Sequence, residues 1–255
     1  MGNNYIHCFI RNYEEDLRKV KQNKLDLKNV KNQTPEICLA AVKQNGLKIK
    51  YVKEQTYNLC LEAIKQNCKA LEFIKIQNAD LCLCAVKLNG ITLGLVKEQT
   101  PEICLVAVQQ NGYALKYVFN QTPEICLAAV QQHGCAIQFV SEQTENLCLI
   151  ALQQNEHALC HIKIQTPQLC LAAVNQNSNT LFHVKEQTPE ICLNAVQNDG
   201  LQLKHIKEQT PEICLAAVKQ NGLALKFVKK QTPLICKTAI EQQRLAIQFV
   251  NDENV

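Results

Sequence analysis

The chain has no tryptophan, one methionine and few aromatic rings of any kind, at 5 % of its residues. A core without large rings has to be assembled from aliphatic side chains, alanine and cysteine, and the 47 % apolar content suffices for that. No apolar run approaches the roughly 18 residues of a membrane-spanning helix. The opening MGNNYIHCFIR also lacks the apolar stretch of a secretion signal. Charge of one sign is scarce as well. The net is +4, and Lys and Glu often stand side by side, as in Lys53–Glu54 and Lys97–Glu98. Such a surface neutralises itself and argues against a strong nucleic-acid footprint. No Gly-rich phosphate loop, Ser-His-Asp set or paired-carboxylate pattern stands out. The expectation is a protein that is not an enzyme, with no catalytic residue and no cofactor.

Cysteine, by contrast, is abundant, with 15 copies. Ten recur every 22 residues without insertion or deletion: Cys38, Cys60, Cys82, Cys104, Cys126, Cys148, Cys170, Cys192, Cys214 and Cys236. In each of these copies a glutamine stands five residues before the cysteine (Gln33 to Gln231) and an alanine three after it (Ala41 to Ala239). An unbroken short period means small supersecondary units that stack on their neighbours, a solenoid and not a globule. Equivalent atoms in stacked helical layers lie roughly 8–10 Å apart, whereas bridged cysteines need Cα atoms within about 7 Å. The ladder thiols are therefore expected to be buried, free and reduced, which fits the cytoplasm.

The copy from Thr210 to Gln231, TPEICLAAVKQNGLALKFVKKQ, shows how one unit folds. Thr210 suits an N-cap, Pro211 the first helical position and Glu212 the positive end of the helix dipole. Ile213, Cys214, Ala217 and Val218 form one apolar stripe. Asn221-Gly222 ends the helix, with the glycine expected in the left-handed conformation. A shorter helix follows, burying Leu225 and Val228 between flanking Leu223 and Phe227. Each repeat thus reads as an αα-hairpin of about 11 and 7 residues. The alanine column is expected where neighbouring helices approach most closely. The glutamine, in the turn between units, is expected to bond adjacent turn backbones.

The fold class is therefore all-α, an αα-hairpin solenoid or superhelix of 22-residue repeats with polar caps at both ends. A degenerate first copy carries Asp16 in the cysteine column and Lys19 in the alanine column. The last copy breaks the leucine column (Leu39 to Leu215) with Lys237. Residues 1–11 read as an N-terminal extension, 12–250 as one solenoid domain of about eleven repeats, and 251–255 as a tail. Within that domain 12–33 is the degenerate N-terminal cap and 232–250 the C-terminal cap. Capped ends argue against open filaments.

Runs such as QTPEICLAAVKQNGLALKFVKKQT resemble the short α-helical repeats of giant DNA viruses that infect amoebae, the mimivirus relatives. The resemblance covers nearly the whole chain, and the AAVKQNG segment is its most specific part. It implies an interaction scaffold in infected-host cytoplasm, with a protein partner that includes host proteins among the candidates. It carries no catalytic residue over.

Since the constant columns look like packing, function is expected in columns that vary, chiefly on the short helix. One column is aromatic or aliphatic in most copies (Tyr51, Phe73, Leu95, Tyr117, Phe139, Phe227, Phe249) and becomes His161, His183 and His205 in three consecutive copies. With His157 and Phe182 these form the candidate partner-binding face. His157 and His161 are four apart, a metal-compatible spacing, but the matching positions of the next layer hold Phe182 and Asn179, so no metal is expected. The alternative is single-stranded nucleic-acid binding, RNA above all, along a lysine column that includes Lys163, Lys185, Lys207 and Lys229. Phe119 and Ser141 interrupt that column, and glutamates flank it.

Overall fold

The N-cap chemistry of each repeat acts as its sequence implies. The Thr210 hydroxyl accepts a hydrogen bond from the Ile213 amide, Pro211 opens the helix, and the α-helix runs Pro211–Gln220. In this computed structural model, which describes residues 2–251 with side chains from residue 12 onward, the same ten-residue helix recurs from Pro35–Gln44 to Pro233–Gln242. A 20-residue helix, Gly2–Lys21, precedes the regular copies and is followed by a three-residue turn of 3-10 helix, Leu27–Asn29. It runs unbroken through the boundary expected between an extension ending at residue 11 and the degenerate copy. Of the 251–255 tail, residues 252–255 lie outside the described residues. Ten regular pairs of helices then complete an all-α solenoid. The chain divides into two compact units, one ending at Gln132 and the other beginning at His133, both built of the same repeat.

The second helix differs from the expectation. It is a six-residue 3-10 helix, as in Gly222–Phe227, and not a short α-helix. The spacing of three between Leu225 and Val228 is the 3-10 period, which places them on one side of the helix. Leu225 is fully buried and Val228 nearly so. A 3-10 run this long is uncommon alone because its hydrogen bonds are poorly directed. Outside partners sustain it here. At its start the Asn221 side chain accepts from the Leu223 amide, and at its end a glutamine takes over the free carbonyls.

That glutamine is the one held constant in all ten copies. Gln77 Nε2 donates to the carbonyls of Leu71, in the preceding 3-10 helix, and Leu95, at the end of its own repeat, both at 3.0 Å. Its Oε1 accepts from the Lys97 amide at 3.0 Å. The cysteine of the same repeat completes the set, Cys82 Sγ lying 3.9 Å from that oxygen. The thiol approaches more closely in other copies, at 3.5 Å for Cys104 on Gln99 and Cys236 on Gln231. In these copies the cysteine is thus more than a small apolar filler, because a weak donor is placed against a half-buried amide oxygen. All ten ladder cysteines are free and buried, and burial raises their thiol pKa values.

A second glutamine ladder ties the layers on the other side. Gln66 Oε1 accepts from the Gly46 amide at 2.5 Å and Gln110 from Gly90 at 2.6 Å. The pairs Gln132–Gly112, Gln220–Gly200 and Gln242–Gly222 repeat it. In the copies that carry it, glycine answers a need for space and not for backbone freedom. No described glycine has a positive φ, but a Cβ on Gly46 would collide with the Ala63 carbonyl oxygen of the next repeat. The expected left-handed C-cap is therefore replaced by a close interlayer approach. The alanine column lies on the other side of the same contact. Every copy from Ala41 to Ala239 is 0 % exposed. Ala239, in the last copy, is as buried as the rest, since its carbonyl faces Gly222 of the repeat before it.

The C-terminal cap is polar on its α-helix, where exposed Lys237 pairs with Glu241 at 3.8 Å. Its 3-10 helix is not polar. Ile247 is 63 % exposed, whereas every earlier member of its column, from Ile49 to Leu225, is 0 % exposed.

Candidate interaction face

The 3-10 helices carry the columns that vary, and three of them, Glu156–His161, Ser178–His183 and Gly200–His205, bring the candidate residues together. Their final position is half-buried in every copy, so an imidazole there replaces a ring that already leaned on the neighbouring layer. The rings connect across layers. His157 meets His183 edge-on at 6.1 Å between centroids and 86° between planes. Phe182 contacts His183 at 5.4 Å and His205 at 5.6 Å, again edge to face. Such T-shaped contacts suit the ring quadrupoles. Phe182 itself stays 69 % exposed. His161 stands outside this chain of ring contacts and acts on His183 through charge.

Electrostatics follow from that packing. Burial lowers the His183 pKa, and the nearby His157 and His161 lower it further. Burial also lowers that of His205, with Lys204 adding to the effect. Both imidazoles are therefore biased towards the neutral form. At one end of the cluster, Glu156 is held ionised. Its carboxylate accepts from Asn177 Nδ2 at 2.9 Å, the main cause of its lowered pKa, and lies 4.0 Å from the His157 ring nitrogen.

The metal-compatible spacing dissolves on this geometry. Residues four apart share a face on an α-helix but diverge on a 3-10 helix, where i and i+3 eclipse. Among the described residues, no three His, Cys, Asp or Glu side chains are grouped as a metal ion would need.

The lysine column has a structural role that the sequence did not reveal. Lys185 Nζ donates to the Lys163 carbonyl at 3.0 Å, Lys207 Nζ to the Lys185 carbonyl at 3.4 Å, and Lys229 Nζ to the Lys207 carbonyl at 2.7 Å. Lys163 reaches back to the Ser141 and Val140 carbonyls at 2.9 and 3.2 Å. Lys53 and Lys75 repeat the pattern in the first unit. Each ammonium caps the turn of the repeat before it, so a phosphate would have to compete with these carbonyls.

Three further features were missed from sequence. Gln202 occupies a column otherwise filled mostly by alanine or threonine; it is 1 % exposed and donates to Asn179 Oδ1 at 2.9 Å and Asp199 Oδ2 at 2.8 Å. This polar bridge joins the layers that carry Phe182 and His205. Secondly, lysines one position before the ring column place their ammonium over aromatic rings. Lys50 lies 4.7 Å from the Tyr51 centroid and 5.7 Å from that of Phe73, Lys116 5.7 Å from Tyr117, and Lys226 4.8 Å from Phe227. Finally, Ile76, Phe119 and Ile164 are strongly exposed on the turns between repeats.

Among the described residues no helix is long and apolar enough to cross a membrane. The model of a family described as a domain of unknown function, DUF4116, matches residues 34–77, 100–145, 122–166 and 188–232, together more than half of the chain. No curated protein and no solved structure matches it.

Proposed function

The chain belongs to the DUF4116 family, and from that premise and the geometry of the 3-10 face we propose a non-catalytic repeat scaffold that binds a protein partner. The observation that carries this reading is the chain of ring contacts His157–His183–Phe182–His205 across three successive layers, with Phe182 left open to solvent. Rigid, half-exposed rings lose little conformational freedom on binding and serve as interface anchors. Here they stand on a backbone held by the invariant glutamines, for Gln165 holds the His183 carbonyl and Gln187 that of His205. The binding site is preorganised. Its place of action is the cytoplasm, in keeping with ten free buried thiols. The viral resemblance of the repeat would make that a host-cell cytoplasm. RNA binding along Lys163, Lys185, Lys207 and Lys229 is the second reading, weakened by the carbonyl bonds those ammonium groups already make.

Affinity capture from cytoplasm, with wild type compared against Phe182→Lys and a His161, His183 and His205 triple alanine variant, tests the face. The expected result is a set of proteins lost from both variants and retained when Lys185 and Lys207 are neutralised. An unchanged set would remove this face from consideration. Mobility shifts with single-stranded RNA that fall steeply with salt, and vanish on neutralising those lysines, would put the second reading first.

A further inference from the structure

Resting on that reading of the face, we infer that the Phe182 patch takes a cationic side chain of its protein partner, an arginine guanidinium or a lysine ammonium. The position is one the repeat itself fills with a cation elsewhere. Counting along each 3-10 helix, the fifth residue is Lys50, Lys116, Lys204 or Lys226 in four copies. Three of those ammonium groups sit within 4.7–5.7 Å of a ring centroid in their own or the following layer. In Ser178–His183 that fifth residue is Phe182, so the chain supplies an additional ring where its sister repeats supply the charge. The ring is exposed, and its contacts with His183 and His205 are at 72° and 67°, not stacked.

The surroundings favour a cation over an anion. Neutral imidazoles at His183 and His205 offer ring faces and acceptor nitrogens that add no positive charge of their own, which leaves Lys204 to oppose an incoming cation on the His205 side only. The ionised Glu156 carboxylate closes the His157 end of the cluster as a counter-charge. Lys204 stands one layer on, beside His205. A planar guanidinium can stack on a phenyl face while donating to an imidazole nitrogen or a carboxylate, which an apolar or acidic side chain cannot do.

The test uses the full chain and three short probes: an acetylated, amidated Gly-Arg-Gly peptide, its citrulline counterpart, which has nearly the same shape without the charge, and a Gly-Glu-Gly peptide. Side-chain resonances of His157, His183, His205 and Phe182 are followed by NMR at neutral pH. The arginine peptide should shift them, and the citrulline peptide should bind roughly two- to fivefold more weakly, the range of an exposed cation–π contact. Phe182→Lys should abolish the response by installing the chain's own cation. It should also fold normally, since four sister repeats carry lysine at that position. Equal binding of the arginine and citrulline peptides, tighter binding of the glutamate peptide, no shift, or an unchanged response in Phe182→Lys would each overturn the inference. If Phe182→Lys loses captured partner proteins while no arginine-dependent shift is seen, the interaction face stands and only its cation chemistry falls. Arginine-dependent shifts with an unchanged set of captured proteins would remove the partner face, and the partner side chain with it.

Discussion

Gln77 offers the sharpest test of what holds the layers together. Truncation to alanine strips two carbonyls, those of Leu71 and Leu95, and the Lys97 amide of their side-chain partner, each bonded at 3.0 Å. A typical bond contributes about 0.5–1.5 kcal/mol net, and the half-buried setting lets water replace part of it, so a loss of about 2–3 kcal/mol is expected. Gln77→Glu separates donor from acceptor. The introduced carboxylate can still accept from the Lys97 amide but faces the Leu71 and Leu95 carbonyls with no proton to give. Its charged form is disfavoured, so its pKa in the folded state lies above the ordinary value of about 4.3. The variant should be at least as unstable as Gln77→Ala at neutral pH. It should recover stability as pH falls through that raised pKa, because the folded state then binds a proton that the unfolded state does not. Urea unfolding followed by circular dichroism gives the stability. Amide exchange at Lys97 gives the local loss, which matters in a repeat array where cooperativity across the chain is not guaranteed. If both variants stay within about 0.5 kcal/mol of wild type, as for a featureless surface substitution, the clamp is not what joins the layers.

Three further outcomes are expected. Gly90→Ala, whose Cβ would strike the Ala107 carbonyl oxygen, should cost about 1–3 kcal/mol by overpacking, measured by urea unfolding; a neutral effect would refute the close approach. Exposed Cys160 should be alkylated in the native state while the ten ladder thiols react only in denaturant, read by mass spectrometry. Since burial raises the ladder thiol pKa values, the unfolded chain ionises first and stability should decline as pH rises above about 8.5. His183 should titrate below the ordinary imidazole value of 6.5, followed by NMR. Its lowered pKa means that the unfolded state takes up the proton first, so its contribution to stability should be lost as pH falls below that value. A titration at or above 6.5 would contradict the packing of the ring cluster.

What was legible in the sequence was whatever one repeat settles by itself. Thr210, Pro211 and the Ile213–Val218 stripe specify the α-helix locally, and the helix forms where they place it. The period alone implied stacking. The position of the invariant glutamine, just outside the N-cap, correctly implied bonds to turn backbones. The rest depends on which atoms of adjacent layers meet. The 3-10 geometry, the spatial need for Gly46 and the Lys185-to-Lys163 carbonyl bond all arise between residues about a repeat apart. One signal was present and went unread: the glycine and second glutamine columns change together in every regular copy except the one where Glu156 stands opposite Gln176. Cys68 is matched by Leu88 and Ser178 by Asn198, while Gly46, Gly90 and Gly200 face Gln66, Gln110 and Gln220. Within the candidate face, the histidine substitutions were visible from sequence. Their coupling through Phe182 was not, because it needs the offset between layers that brings His157 to His183.

The backbone character of the clamp has a consequence for how such a chain changes length. Gln77 recognises the carbonyl of Leu71, and Gln99 recognises the carbonyl of Leu93. Neither bond depends on the side chain that the carbonyl belongs to. Excising residues 77–98 would present Gln99 to the Leu71 carbonyl in the same geometry, and copying them would insert a layer with every clamp satisfied. Recombination between misaligned copies therefore keeps this clamp whenever the exchange preserves the 22-residue phase, and breaks it at the junction when it shifts by a single residue. Selection on the gene would then keep the phase while letting the number of layers, and the rings and charges displayed on the 3-10 edge, diversify freely.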